Sequence, residues 1–271
     1  MHSNDPDIPL LHLDRLGISY GGPGVSERLS ILEDINLTVH EGEFVTIMGS
    51  SGAGKSTLLN LIAQTLSPSS GRIIFRGNVV AGAGMPQDPG CDRQIGYVTQ
   101  DDNLLPWQTV WENLLFPLSL AGRPNTADID RARRLLDQVG LSDWGGHYPH
   151  QLSGGMRKRA SLARTLVYNP PVVLMDEPFG ALDAETRAQL QEDLLKLWEA
   201  ERKTILFVTH DINEAIALGD RVIVLSGSPG RVALELQIDI ARPRSPELIF
   251  KAPGFAGNYD AIRAQLRGER Q

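Results

Sequence analysis

The residues from 49 to 57 have the types and the spacing that bind phosphate. They read Gly-Ser-Ser-Gly-Ala-Gly-Lys-Ser-Thr, which fits the pattern G-x-x-x-x-G-K-[ST]. Glycines let the backbone N–H groups of such a loop point inward around an anion. Lys55 would reach the phosphates, and the Ser56 hydroxyl would be a ligand for Mg²⁺. We therefore expect a nucleotide phosphate site made by Gly49, Ser50, Ser51, Gly52, Ala53, Gly54, Lys55, Ser56 and Thr57.

Two adjacent carboxylates follow an apolar run in the second half of the chain. Val172–Met175 is apolar throughout, and Asp176 and Glu177 come directly after it. Such a run predicts a buried strand, and ligands of α/β sheets bind at the C-terminal ends of the strands. A carboxylate oxygen is a good Mg²⁺ ligand, and a carboxylate also accepts a proton from an attacking water. We expect Asp176 to hold Mg²⁺ and Glu177 to act as general base in phosphoryl transfer.

The spacing of the apolar residues predicts the elements that position these groups. Strands are expected at Leu11–Tyr20, Ile31–Val39, Phe44–Met48, Arg72–Phe75, Ile95–Val98, Val172–Met175, Thr204–Val208 and Arg221–Leu225. Helices are expected from Thr57 onward and at Thr109–Leu120, Asp128–Val139, Ala184–Glu201, Ile212–Leu218 and Tyr259–Arg267. Strands that alternate with helices predict an α/β protein with a parallel sheet covered on both faces.

Composition excludes several classes of protein. The chain has 271 residues and a formal net charge of −7, whereas a non-specific nucleic-acid binder needs an excess of Lys and Arg. A single cysteine, Cys91, cannot form an internal disulfide framework. The apolar runs are far shorter than the roughly 20 residues of a membrane span. We expect a globular protein that binds no nucleic acid and reaches a membrane only through a partner.

The pentapeptide Leu152-Ser153-Gly154-Gly155-Met156, taken with the two motifs above, resembles the signature of the ATP-binding cassette (ABC) ATPases. Other markers occur in the order of that family, and the resemblance covers nearly the whole chain. These markers are the aromatic Tyr20, the loop glutamine Gln100, the segment Ala181-Leu182-Asp183 and the segment Thr209-His210-Asp211.

The resemblance implies that three of these markers contact ATP and its metal ion. Tyr20 would stack on the adenine, and Gln100 would sense Mg²⁺ and the attacking water. His210 would hydrogen-bond the γ-phosphate. From the residues alone, the alternative for Tyr20 is an ordinary strand tyrosine, and the alternative for His210 is a water-facing residue at a helix N-terminus.

The remaining markers imply a dimer. The chain has one phosphate loop and one signature, and in the family the signature faces the ATP of the other subunit. Ser153, Gly154 and Gly155 would therefore bind the second chain's nucleotide in a head-to-tail homodimer, with Asp183 in a loop at the interface. In isolation, Ser153 also fits a plain helix N-cap. Met156 departs from the glutamine common in the family, which puts one side-chain hydrogen bond in question.

The resemblance also implies a fold and a domain organisation. The expected fold is that of a P-loop NTPase, with a RecA-like parallel sheet core, an N-terminal antiparallel β subdomain and an inserted α-helical subdomain. Residues 1–271 would form a single ABC ATPase domain. Its nucleotide-binding core would comprise residues 1–100 and 165–240. Residues 101–164 would be the helical insert, and residues 241–271 a short C-terminal tail.

A short apolar segment suggests what the ATPase drives. Leu104-Leu105-Pro106-Trp107 follows Gln100 closely, and an exposed apolar patch with a tryptophan is typical of an interface. We expect this loop to contact an integral-membrane permease dimer. The alternative is that Trp107 packs on the chain's own helical insert.

Three further segments resemble the importers of nitrate, sulfonates and taurine: Pro89–Arg93, Leu225–Val232 and Arg242–Arg244. This subgroup implies ATP-driven import of a small anionic or polar solute, with aliphatic sulfonate or taurine favoured over nitrate. It also implies an extracytoplasmic solute-binding protein, and a peripheral location on the cytoplasmic face of the plasma (inner) membrane. Two other functions stay open at this point, namely an exporter or lipid-handling ATPase and a soluble ABC ATPase outside transport.

Overall fold

The computed structural model describes residues 8–21, 29–85, 94–120, 122–180 and 182–267. Three features named above lie wholly or partly outside these ranges: Ala181 of the interface segment, Cys91, and the Pro89–Arg93 segment. The chain divides into two compact units. The first comprises residues 1–92 and 203–271, and the second comprises residues 93–202.

The first unit contains an antiparallel sheet near the N-terminus. Its strands are β1 (Leu11–Tyr20), β2 (Leu29–Val39), β4 (Ser70–Phe75) and β5 (Asn78–Gly82). The order in the sheet is β2-β1-β4-β5, with every neighbouring pair antiparallel. Leu11, Leu13 and Leu16 of β1 are buried, which gives this sheet one apolar face.

The first unit also contains the strands that carry the phosphate loop. They are β3 (Phe44–Gly49), β8 (Thr204–Val208), β9 (Arg221–Ser226) and β10 (Arg231–Gln237). They lie in the order β10-β9-β3-β8. β3 runs parallel to β8 and β9, whereas β10 pairs antiparallel with β9. Every residue of β8 is buried, as expected for a strand covered on both faces.

In the described part of this unit, the α-helices are α1 (Lys55–Ile62), α6 (Ile212–Leu218) and α7 (Phe255–Arg267). Met48, Val222 and Val224 of the sheet form one apolar cluster with Ala215 of α6 and Ile262 of α7. This cluster joins the C-terminal helix to the strands that hold the phosphate loop.

The described residues of the second unit form the parallel strands β6 (Ile95–Val98) and β7 (Val172–Asp176), together with several helices. Among these residues, the α-helices are α2 (Val110–Leu120), α3 (Thr126–Gln138), α4 (Gly154–Leu166) and α5 (Ala184–Glu201). α3 buries Ala132, Leu135 and Leu136, as its apolar spacing predicts. Among the described residues, no helix has both the length and the apolar character needed to cross a membrane.

Most predicted elements are confirmed, and the differences have physical reasons. The bounds of β1, β6, β8, α5 and α6 are as predicted. α1 begins at Lys55 rather than Thr57, because the lysine and the serine of the loop already form the first helical turn. α3 begins at Thr126 because Asn125 caps it in a reciprocal pair with Asp128. Strands β5 and β10 were not predicted, and α7 starts four residues before Tyr259.

Candidate nucleotide site

The phosphate loop of the first unit runs from the end of β3 to the start of α1. Gly54, the N-cap of α1, has φ 86°, a left-handed conformation that favours glycine. The Lys55 ammonium donates to the carbonyl oxygens of Gly49 and Ser50 at 2.9 and 3.0 Å. Ser50, Ser51 and Ser56 are exposed. A cation therefore lies over a loop that opens onto a helix N-terminus, which is an arrangement suited to phosphate.

A second turn of the first unit packs directly against this loop. A Cβ added at Gly230 would lie 2.2 Å from the carbonyl oxygen of Ala53, and one added at Gly49 would lie 2.5 Å from that of Leu225. Gly230 also donates its N–H to Ile31 at 2.8 Å. The turn between β9 and β10 therefore fixes the path of the phosphate loop. Sequence analysis named the Leu225–Val232 segment but gave Gly230 no role at the phosphate loop, and Gly230 directly precedes β10, a strand that was not predicted.

His210 leaves the sheet at the same edge as the phosphate loop. Ile47 of β3 is paired with Val208 of β8, and the Thr209 N–H donates to the Ile47 carbonyl at 3.1 Å. The Thr209 hydroxyl bonds the Glu214 carboxylate, and Asp211 caps α6 by accepting from the Asn213 N–H at 2.8 Å. His210 is exposed on the bend that these neighbours hold.

Tyr20 is the last residue of β1, and its side chain is 49% exposed. A tyrosine ring that stays half accessible at a strand end is available to stack on a planar ligand. The first unit therefore supplies an accessible aromatic ring, the phosphate loop and His210.

The second unit brings Gln100 and the two carboxylates together. β6 and β7 are parallel, and Val98 is paired with Met175. Asp176, the last residue of β7, and Gln100, two residues after β6, therefore lie at the same C-terminal edge of these strands. A Cβ added at Gly180 would lie 3.8 Å both from Gln100 Nε2 and from Glu177 Oε2. The amide of Gln100 and the carboxylate of Glu177 therefore approach the same glycine.

Glu177 and Asp176 have unusual surroundings. Glu177 has φ 44°, a left-handed conformation that is uncommon for a residue with a side chain and is found preferentially at functional sites. Burial, together with the Asp176 carboxylate, raises the pKa of Tyr97 to about 12. Tyr97 therefore stays neutral beside Asp176 at physiological pH.

The signature residues begin helix α4. The Ser153 hydroxyl accepts a hydrogen bond from the Met156 N–H at 3.3 Å, which confirms the interpretation of Ser153 as a helix N-cap. Gly154 and Gly155 lie in the first turn, where helix N–H groups have no partner inside the helix. The capping bond of Ser153 goes to the Met156 N–H and not to the N–H groups of Gly154 and Gly155.

The N-termini of α4 and α5 meet at Thr186. A Cβ added at Gly155 would lie 2.7 Å from Thr186 Cγ2. Asp183, the N-cap of α5, accepts the Thr186 N–H at 2.9 Å, and this bond lowers the pKa of Asp183 below its ordinary value. Asp183 thus stays ionised beside the signature residues.

The loop after Gln100 has one inward and one outward apolar side chain. Leu104 is 8% exposed, whereas Trp107 is 71% exposed. The buried Asn113 of α2 holds this loop, accepting the Leu105 N–H at 2.7 Å and donating to the Leu105 carbonyl at 3.0 Å. Trp107 is therefore presented on the surface of the second unit by a well-bonded loop and does not pack into the helical core.

Comparisons with known proteins identify the family. Residues 32–180 match the family described as ABC transporter. An uncharacterised ABC transporter ATP-binding protein of Methanocaldococcus jannaschii is 48% identical over 80% of this chain and 78% of its own length. The taurine import ATP-binding protein TauB of Pseudomonas putida is 42% identical over 97% of this chain and 98% of its own length.

Solved structures agree with this assignment. A dimeric bacterial ABC transporter cassette matches 84% of this chain and 98% of its own, with TM-score 0.72 and 36% identity. A dimeric cassette in a post-hydrolysis state, bound to ADP and Pi, matches with TM-score 0.71 and the same identity and coverage. CbiO1 of Clostridium perfringens, described as part of the ABC transporter complex CbiONQ, matches 97% of both chains with TM-score 0.75 and 27% identity.

These comparisons confirm the predicted α/β P-loop NTPase fold and the resemblance stated from the motifs. They also confirm that the chain binds ATP and hydrolyses it. The chain belongs to the ABC transporter family, as an ATP-hydrolysing ATP-binding subunit.

Proposed function

We propose that this chain powers a membrane importer of a small sulfonate, with taurine the first candidate substrate, other aliphatic sulfonates next and nitrate after them. The observation that carries this proposal is the 42% identity to taurine import proteins of Pseudomonas, which extends over 97% of the chain. Since the match runs the length of both proteins, it covers the whole of the relative and not only its ATPase motifs.

Residues of the first unit bind the nucleotide. The Tyr20 ring stacks on adenine, and the backbone N–H groups from Gly49 to Thr57 surround the phosphates. The Lys55 ammonium exchanges its carbonyl partners for phosphate oxygens, and His210 donates a hydrogen bond to the γ-phosphate. The common edge at which His210 and the phosphate loop leave the sheet supports these roles.

Residues of the second unit complete the chemistry. Glu177 takes the proton of the attacking water, and Gln100 orients that water. The hydroxyl of Ser56 and the oxygens of Gln100 and Asp176 are the donors that Mg²⁺ prefers, so the residues fit this ion. When bound, Mg²⁺ neutralises charge on the phosphates. The approach of Gln100 and Glu177 to Gly180 supports their joint role.

Two copies of the chain close head to tail on two ATP molecules. Ser153, Gly154 and Gly155 of one copy bind the γ-phosphate held by the other, with Asp183 at the interface. ATP stabilises the closed dimer because it contacts both copies, and hydrolysis removes the phosphate that joins them. Two dimeric cassette structures among the relatives support this assembly.

The dimer transmits its motion to a permease. Trp107 and the loop that presents it contact an integral-membrane permease dimer, and an extracytoplasmic solute-binding protein delivers the substrate. The chain lies on the cytoplasmic face of the inner membrane as a peripheral subunit. The 71% exposure of Trp107 supports this contact, because a rigidly held exposed tryptophan is typical of an interface.

All 271 residues act as one cassette in this proposal. Residues 1–100 and 165–240 form the nucleotide-binding core, residues 101–164 the helical insert with the signature, and residues 241–271 the tail.

A pull-down from native membranes tests the proposal. Tagged Glu177→Gln chain is purified in detergent with Mg²⁺ and ATP, and the co-purifying proteins are identified by mass spectrometry. We expect a permease with several membrane spans and a secreted binding protein. That binding protein is then titrated with taurine, ethanesulfonate and nitrate. Recovery of the ATPase alone, or together with nucleic-acid-binding proteins, would contradict import.

A further inference from the structure

Three cations of α4 hold the loop that carries Gln100. The Lys158 ammonium donates to the Gln100 carbonyl and also reaches the Thr99 carbonyl at 3.4 Å. The Arg164 guanidinium donates to the Asn103 carbonyl at 2.7 Å and to the Asp102 carbonyl at 3.2 Å. Lys158 and Arg164 therefore both donate to backbone carbonyl oxygens of residues 99–103. These bonds hold the backbone of the loop and do not depend on the conformation of the loop's own side chains.

The third cation, Arg157, joins this loop to the signature itself. Its Nε donates to the Asp102 carboxylate at 2.9 Å, and its Nη1 donates to the Leu152 carbonyl at 2.8 Å. Leu152 directly precedes the N-cap Ser153. One guanidinium group therefore bridges the peptide that enters the signature and the loop that leaves Gln100. We name Arg157, Lys158 and Arg164 the α4 clamp.

The loop is also bonded within itself and at its far end. The Asn103 amide donates to the Thr99 hydroxyl at 2.6 Å, across the segment that contains Gln100. Beyond it, the Asn113 amide of α2 donates to the Gln108 and Thr109 carbonyls at 3.1 and 3.0 Å. A displacement of α4 must therefore carry along a continuous stretch that includes Gln100.

Burial indicates that the clamp is structural and not a set of solvated charges. Burial lowers the pKa of Lys158 below its ordinary value, an effect that Asp102 and Asp101 partly offset. Burial likewise lowers the pKa of Arg164. A lysine withdrawn from water would be costly unless it formed strong charge-assisted hydrogen bonds, and here these go to the Gln100 loop.

We propose that the α4 clamp makes Gln100 and the signature of the same chain move as one body, so that Lys158 and Arg164 are positioning residues that link the two ATP sites of a dimer. This inference rests on the proposed head-to-tail assembly, in which Gln100 serves one ATP and Ser153 serves the other. Binding of the first ATP orders Gln100, and through the clamp it sets the signature that receives the second.

The test compares ATP-induced dimer formation in three double variants. Each carries Glu177→Gln to prevent hydrolysis, with Lys158→Met, Lys158→Arg or the control Lys196→Met, whose lysine is exposed on α5. The mass in solution is measured by light scattering against ATP concentration. We expect Lys158→Met to raise the ATP midpoint by about tenfold or more, as loss of a charge-assisted hydrogen bond allows, and to make the transition less cooperative. With Lys158→Arg, the ATP midpoint should return most of the way to that of Glu177→Gln alone, because arginine keeps the positive charge and the donors. With Lys196→Met, the midpoint should equal that of Glu177→Gln alone.

A second readout separates positioning from general damage. The ADP affinity of the monomer depends on the phosphate loop, to which Lys158 makes no bond in the proposal. Lys158→Met should therefore change the ADP affinity by less than about twofold, as expected for a substitution that is energetically independent of the binding site. Asp102→Asn removes the ion pair with Arg157 and leaves the sequence of α4 unchanged. This variant should also raise the ATP midpoint of dimer formation. It keeps the inference testable if the Lys158 variant does not fold.

The possible results have different meanings. An unchanged midpoint for both Lys158→Met and Asp102→Asn overturns the clamp and leaves the dimer intact. A parallel loss of ADP affinity and dimer formation also overturns it, since the effect is then global. If the Glu177→Gln reference itself stays at 29.7 kDa with saturating ATP, the proposed assembly fails and the inference fails with it.

Discussion

At the scale of single residues, Glu177 combines a reactive group with an uncommon backbone. Its φ of 44° lies in the left-handed region, and its carboxylate and the Gln100 amide approach the same glycine. A residue held in this conformation is kept there by its surroundings, which here are the end of β7 and the turn that closes with a 3.1 Å hydrogen bond from Gly180 to the Glu177 carbonyl. The backbone thus fixes where the carboxylate can go.

Glu177→Gln should lower the rate of ATP hydrolysis by about 10²- to 10⁴-fold, the usual contribution of a general base. The amide keeps the size of the side chain but accepts no proton at neutral pH. ATP affinity should be retained, because the phosphate loop is untouched. Phosphate release and equilibrium nucleotide binding measure the two quantities. Turnover at the rate of the unaltered chain would show that Glu177 is not the base.

Gly230→Ala should weaken ATP binding by about tenfold, because a methyl group 2.2 Å from the Ala53 carbonyl forces the phosphate loop to move. Gly257→Ala is the matched control, since its added Cβ meets nothing within 4 Å and helix α7 tolerates alanine. Nucleotide titrations of both variants provide the comparison. Equal ATP affinities for Gly230→Ala and Gly257→Ala would mean that the β9–β10 turn does not fix the path of the phosphate loop.

At the scale of elements, Arg244 ties the C-terminal segment to the core of the first unit. It is 8% exposed, and its guanidinium donates to the carbonyl oxygens of Ile216, Gly219, Ile238 and Ile240. Burial lowers its pKa to about 10, which leaves the group protonated at neutral pH. Two of these bonds satisfy the Ile216 and Gly219 carbonyls at the C-terminal end of α6, where the last carbonyls have no N–H partner inside the helix. The other two satisfy the Ile238 and Ile240 carbonyls in the segment that follows β10.

Arg244→Met should lower the free energy of unfolding by about 3 kcal/mol, because four carbonyl groups lose a buried donor. Arg267→Met, at an exposed position in α7, should change it by less than about 0.5 kcal/mol. Urea unfolding of both variants gives the difference. Equal midpoints and slopes for the two would contradict the role assigned to Arg244.

Sequence reasoning correctly predicted most of the strands and helices that depend on local patterns. The candidate phosphate loop and the β7 carboxylates could be proposed from sequence because, in each case, a strand and the polar residues that follow it are contiguous in the chain. Gly230 was missed because its contact with Ala53 joins positions far apart in the chain. Lys158 was missed because a lysine on a helix is ordinarily solvated, and only the fold shows the carbonyls it meets. β10 was missed because Ala233 interrupts the alternation of apolar and polar residues, so that Val232, Ala233 and Leu234 form an apolar run.

At the scale of the whole molecule, the chain presents an ATPase together with a surface that ATP hydrolysis alone does not require. Trp107 is exposed on a loop that Asn113 holds from inside α2, so the tryptophan is positioned before any partner arrives. Prearranged side chains lose little conformational entropy on binding, which favours their use as anchors.

Trp107→Ala should reduce recovery of the permease in the pull-down by about tenfold or more, as expected for an interface hot spot. Its ATPase activity without the permease should stay within about twofold of the unaltered chain, because no catalytic group is removed. Trp144→Ala, a change at a less exposed tryptophan of the same unit, serves as the comparison. Undiminished recovery of the permease would place the contact elsewhere.

Uptake of radiolabelled taurine tests the central claim most directly. Cells of the source organism that lack this chain are compared with cells that carry it and with cells that carry Glu177→Gln at an equal level. Ethanesulfonate and nitrate uptake are measured in parallel. The account predicts that taurine uptake disappears on deletion, returns with the unaltered chain and does not return with Glu177→Gln. If all three solutes enter deleted cells at the undeleted rate, the chain does not power import of this class of solute.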